Sequence, residues 1–88
     1  MHYAIEFSKR AVRELGDIPH PLRNRINDRI RALADDPRPS GCQRLAGFDD
    51  LYRVRVGDHR IIYQIRDNVL IVVIVRLGHR RDIYRHLG

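Results

Sequence analysis

With 88 residues, 43% of them hydrophobic, the chain reads as one domain holding a single modest core, since a chain this short buries roughly 60–65% of its unfolded surface. Net charge is +6, and every one of the 17 basic residues except Lys9 is arginine; a fork that fits phosphate and stacks on bases points to a polyanionic partner, although a GC-rich genome gives the same bias. The lone Cys42 excludes an intrachain disulfide, which fits a reducing compartment, and the longest apolar run, Val69 to Val75, is far short of the roughly 20 residues a membrane span needs.

Residues 2–7 alternate, with Tyr3, Ile5 and Phe7 on one side and His2, Ala4 and Glu6 on the other, which predicts a short half-buried strand. No basic stretch leads a long apolar core there, so the expectation is a cytoplasmic protein rather than an exported one. Ser8 is placed to cap a helix running to Leu15, with Phe7 and Val12 spaced as a hydrophobic staple and Ala11, Val12 and Leu15 as a narrow apolar stripe. Gly16 suits the position past the helix end, and Ile18 can fold back on it. A second helix starts near Pro19–Pro21 and runs to about Asp35, ahead of Pro37. Leu22, Ile26, Ile30 and Leu33 form its apolar stripe. Arg23, Arg25, Arg29 and Arg31 fall between them, either as a solvated face or as phosphate contacts. The two helices predict a hairpin laid on one face of a sheet. Asp36 to Gly47 holds Pro37, Pro39, Gly41 and Gly47 without periodicity, which predicts a long loop carrying Cys42 as an incidental thiol or a nucleophile.

Three β-branched and aromatic runs follow: Leu51 to Val56, His59 to Arg66 and Val69 to Val75. Gly57-Asp58 and Asp67-Asn68 separate them as turns, which predicts an antiparallel meander. The third run is apolar on both sides, as an interior strand tends to be, and the N-terminal strand is the only partner left for its free edge. The predicted class is a single α+β domain: N-terminal strand, helix hairpin, three-stranded meander and a short C-terminal helix. The sheet order is then 51–56, 59–66, 69–75 and the N-terminal strand. The helices cover the apolar face, and a surface carrying Arg53, Arg55 and Arg60 stays open.

Arg53 and Arg55 point the same way on their strand, and Arg60 follows across a two-residue turn. Arg80 and Tyr84 are four apart and share a face of the helical tail. Arg76 ends the meander, and Gly78 allows a bend toward the same surface, bringing His79 and Arg81 with it. Such convergence makes a concave, positive site with a phenol and an imidazole, suited to a phosphodiester. The plainer alternative is a set of solvated strand arginines and a tyrosine that anchors the last helix. His79 and His86 have no carboxylate or thiol cluster at ligand spacing, and no Gly-rich phosphate loop or Ser/His/Asp order occurs, so neither metal nor cofactor is expected.

The segments Tyr52-Arg53-Val54-Arg55-Val56-Gly57-Asp58-His59-Arg60-Ile61-Ile62-Tyr63 and Gly78-His79-Arg80-Arg81-Asp82-Ile83-Tyr84 resemble signature stretches of the RelE/ParE superfamily, the toxin halves of type II toxin–antitoxin pairs. The likeness runs over essentially the whole chain. The RelE branch is similar in carrying basic residues at the positions of Arg53, Arg55, Arg60 and Arg80 and a tyrosine at that of Tyr84. The resemblance implies a RelE-like microbial ribonuclease-type fold and a metal-independent endoribonuclease that enters the ribosomal A site and cleaves mRNA. It also implies a RelB-like antitoxin as partner, with operator DNA reached only through that antitoxin.

On that resemblance Arg55, Arg60, Arg80 and Tyr84 are the expected catalytic residues, with Arg53 binding substrate; the convergence described above adds Arg76, His79 and Arg81 as expected substrate contacts. In-line attack needs a base, charge stabilisation for the phosphorane and an acid. Some family members have lysine where this chain has Arg53 and Arg55, and arginine cannot take the base role. Tyr84, His79 and His59 remain as candidates for proton transfer. The ParE branch implies inhibition of DNA gyrase instead, and a weakened toxin acting as antitoxin partner and corepressor is a third reading.

Overall fold

The computed structural model describes residues 2–81 and Ile83. Its elements are β1 (Ala4–Phe7), α1 (Lys9–Gly16), α2 (His20–Asp35), β2 (Gln43–Arg44), β3 (Leu51–Val56), β4 (His59–Arg66) and β5 (Ile71–His79). They build a five-stranded sheet in the order β1-β5-β4-β3-β2, with β1 parallel to β5 and the other pairs antiparallel. The expected four-strand order is present, and the fold is α+β. The proposed C-terminal helix lies outside the described residues. No helix among the described residues is long and apolar enough to cross a membrane.

The helices form where local chemistry dictates. Ser8 caps α1 by accepting from the Ala11 N–H at 3.0 Å, and its hydroxyl donates to the Val75 carbonyl at 2.7 Å, so one side chain joins helix to strand. The staple does not form as expected: Val12 is 58% exposed, and Ala11 is the buried residue of α1. Gly16 is the helix's last residue rather than its successor, and Asp17 takes the cap. In α2, Ile26, Ile30, Leu33 and Ala34 are buried at helical spacing. Asp36, held extended at φ −141° by the proline after it, ends that helix.

The core lies between the helices and one sheet face, where Val54, Val56, Ile61, Tyr63, Ile65, Val72, Ile74 and Leu77 meet Ile18, Ile26, Ile30 and Leu33. Two departures in β5 shape the other face. The strand starts at Ile71, not Val69, because a four-residue loop with Leu70 at φ 57° replaces the expected Asp67-Asn68 turn. It then runs through Gly78 to His79 without the expected bend. Between those ends, Tyr63 pairs with Ile74 and Ile62 with Arg76, so Val75 has no opposite residue. This bulge reverses the alternation: Leu77 turns into the core, and Arg76 turns to the far face beside Ile62.

That far face is not open. Ile62 and Ile83 are fully buried there, outside the main core, and the Ile83 Cδ1 atom lies against Gly78. Ile83 therefore covers part of the surface that strand alternation alone leaves to solvent. β2 is the other addition. Two polar residues carry no alternating pattern to read, and they pair only with Arg53 and Tyr52.

Candidate nucleic-acid interface

The β3–β4 hairpin turns through Gly57-Asp58, with Gly57 at φ 60°, where a two-residue hairpin loop favours glycine. The tight turn sets Arg55 directly opposite Arg60 and Arg53 opposite Ile62. Like charges placed straight across a strand pair repel, so this register disfavours the empty fold and favours a bound anion.

The two arginines differ in setting. Arg55 is exposed. Arg60 is only 9% exposed, faces Gly78 on its other side, and its Nε has no hydrogen-bond partner among the described residues. A buried guanidinium with no carboxylate beside it among the described residues is costly; an anion arriving at the mouth of the site removes that cost. Arg53 is half-buried and donates to the Gln43 Oε1 atom, so the overlooked β2 strand orients it. Arg80 is exposed, and its backbone N–H donates to the Asp58 carbonyl at 2.9 Å, tying it to the same hairpin turn. Arg81 is exposed, with its N–H donating to His79 Nδ1 at 3.2 Å. Tyr84 lies outside the described residues.

Two expected members do not join the cluster. Arg76 is 6% exposed and engaged in the fold: it donates to the Ile83 carbonyl at 2.9 Å and pairs with Glu14 at 2.8 Å, while the other Glu14 oxygen accepts the Leu77 N–H. The bulge that turned it away from the core also set it against α1. His79 pairs with His59, which pairs with Val56, a core residue; strand alternation puts both imidazoles on the helix-bearing side, not beside Arg55 and Arg60. The two rings meet edge to face at 5.7 Å. Burial, then the neighbouring His79, pushes His59 below the ordinary imidazole range, against the opposing pull of Asp58.

The sequence offers Arg25 and Arg29 either as a solvated helix face or as phosphate contacts. In the fold they border the same end of β3 as Arg55. Their i, i+4 spacing and the strand over 51–56 are both visible in the chain, but not that the helix crosses that strand at Arg55.

Comparison with known proteins gives a consistent family. The sequence pattern of the family described as "ParE toxin of type II toxin-antitoxin system, parDE" matches residues 5–84. The chain is 30% identical over 86 residues to toxin RelG of Mycobacterium tuberculosis, covering 97% of this chain and 99% of the relative. It is 24% identical over 82 residues to the mRNA interferase toxin RelE of Escherichia coli K12, covering 91% and 85%. Its fold is similar to that of an archaeal RelE–RelB complex from Pyrococcus horikoshii, with a TM-score of 0.81 and 29% identity over 93% of this chain and 99% of that one. With the family pattern spanning both helices and strands β2 to β5, the chain belongs to the RelE/ParE superfamily of type II toxin–antitoxin toxins.

Proposed function

We propose that this toxin is a metal-independent endoribonuclease of the RelE type, cutting mRNA in the ribosomal A site and held in check by a RelB-like antitoxin. The observation that carries the proposal is the Arg55–Arg60 pair, set directly across two strands with the Arg60 Nε unpartnered among the described residues. The name of the E. coli relative and the antitoxin-bound state of the archaeal neighbour support the reading.

In this mechanism the 2′-oxygen attacks the adjacent phosphorus and the bond to the 5′-oxygen breaks. The products are a 2′,3′-cyclic phosphate and a free 5′-hydroxyl. Arg55, Arg60 and Arg80 stabilise the charge that grows on the phosphorane oxygens, and Arg53 positions the backbone. One proton leaves the 2′-hydroxyl and one must reach the 5′-oxygen. With His59 and His79 on the helix-bearing side, Tyr84 is the candidate left for proton transfer. The ribosome supplies alignment of the message. Arg81 is exposed beside Arg80 and suits an outer backbone contact.

Primer extension on a translated message after induction tests this. The wild type is expected to cut within codons, and Arg55→Ala, a change at an exposed position, to cut about 100-fold or more slowly. Equal cutting by the variant removes the pair from the mechanism. The ParE name of the matching family motivates a second reading, inhibition of DNA gyrase. It predicts blocked supercoiling with translation initially intact.

A further inference from the structure

Past Arg53, β2 no longer covers β3, and the strand becomes a sheet edge. There α2 and the end of β3 enclose an open groove of about 500 Å³, bordered by Arg25, Asp28, Arg29, Ala32, Arg55 and Val56. No hydrogen bond or ion pair engages the side chains of Arg25, Arg29 or Arg55 among the described residues, and the Arg29 Nε is buried without a partner. The one carboxylate, Asp28, already pairs with Arg31 at 3.1 Å.

We propose that this groove is a second phosphate subsite, which holds the RNA backbone at a nucleotide flanking the scissile phosphodiester. The inference deepens the nuclease reading and rests on it. Arg55 belongs to both the groove and the sheet cluster, so a strand leaving the cut site around the β3 edge meets Arg25 and Arg29 next. An antitoxin helix is the weaker fit, because a helix docked in a groove relies on apolar anchors, and this lining offers only Ala32 and Val56, the latter already in the core. Three unpaired guanidinium groups need no such anchor to hold phosphates.

The test titrates a 2′-O-methyl oligoribonucleotide, which cannot be cut, with the intact chain over a range of salt. For Arg25→Gln/Arg29→Gln, binding is expected to weaken alike for all sequences. The slope of log affinity against log salt is expected to fall by about 1.4, roughly 0.7 for each lost phosphate contact. Arg25→Gln alone, at an exposed position, is expected to show about half that fall with an unchanged urea midpoint, which separates the effect from misfolding. An unchanged slope, or a wild type that binds no oligonucleotide at low salt, overturns the subsite. So does a double variant that keeps RNA but loses antitoxin. Cleavage by the wild type on programmed ribosomes is scored separately. Cutting with an unchanged slope sinks the groove alone, whereas no cutting with a reduced slope sinks the nuclease reading and leaves the groove.

Discussion

Arginine does two different jobs around this sheet. Toward the Asp67 loop and along β5 it is engaged. Arg38 donates to both oxygens of Asp67, at 2.9 and 3.3 Å, lies over the Tyr52 ring at 5.2 Å, and shares Asp67 with the Tyr3 hydroxyl at 2.6 Å. Arg76 is held by Glu14 and the Ile83 carbonyl. Toward the Gly57-Asp58 turn, Arg55 and Arg60 have no carboxylate partner among the described residues, nor do Arg25 and Arg29 across the β3 edge. The same side chain is mortar at Arg38 and Arg76 and unfilled binding capacity at Arg55 and Arg60. What separates them is whether the fold delivers a carboxylate or carbonyl within reach.

The largest expected effect breaks the comparison at its unfilled end. Arg60→Met keeps bulk and flexibility while removing a buried charge that lacks a partner among the described residues. Cleavage is expected to fall by about 100-fold or more, as for loss of one preorganised charge-stabilising donor. Thermal stability is expected to hold or rise, because replacing a buried unpaired ion by an apolar side chain removes a desolvation cost. A melting temperature several degrees lower than wild type would move Arg60 into the structural class and weaken the case for a bound anion.

The converse substitution is Glu14→Ala. It leaves Arg76 buried beside an empty position and strips the Leu77 N–H of its acceptor. Removing one partner of a buried pair costs about 3–5 kcal/mol; Glu14 is itself 21% exposed, which places the expected loss near about 3 kcal/mol. Urea denaturation measures it. A loss below about 1 kcal/mol would return Arg76 to the pool of arginines available for substrate.

These two residues also mark where the sequence could be read and where it could not. Periodicity and turn chemistry carry the helices, the meander and the placement of β1 beside β5, because core burial repeats every two or every 3.6 residues. The facing of Arg53, Arg55 and Arg60 follows from the same rule. Arg76 and His79 defeat it. A single bulged residue, Val75, inverts everything after it, and an apolar run shows no sign of where its register slips. β2 escaped because a two-residue polar strand has no period. The burial of Arg60 escaped because strand alternation places a residue on a face without saying what covers that face. The Arg25–Arg29 groove needed the β3 edge to be located first.

The smallest effect sharpens the engaged end by pH. Asp67 is held down from 3.8 to about 2, first by its hydrogen bonds from Arg38, then by that from Tyr3. A carboxylate whose folded value is depressed stabilises the native state above its unfolded value, and that contribution fades as pH falls toward the folded one. The melting temperatures of wild type and Asp67→Asn are therefore expected to differ by a constant amount from about pH 7 to pH 5. They should converge between about pH 4 and pH 2. The pair is half-exposed, so the gap is expected to be modest and to narrow with added salt. Arg55→Ala, whose guanidinium has no carboxylate to lose among the described residues, is expected to show no such convergence over the same range. A convergence that appeared in Arg55→Ala as well would mean that an acidic partner outside the described residues holds Arg55, and the division between engaged and unfilled arginines would fail at that position.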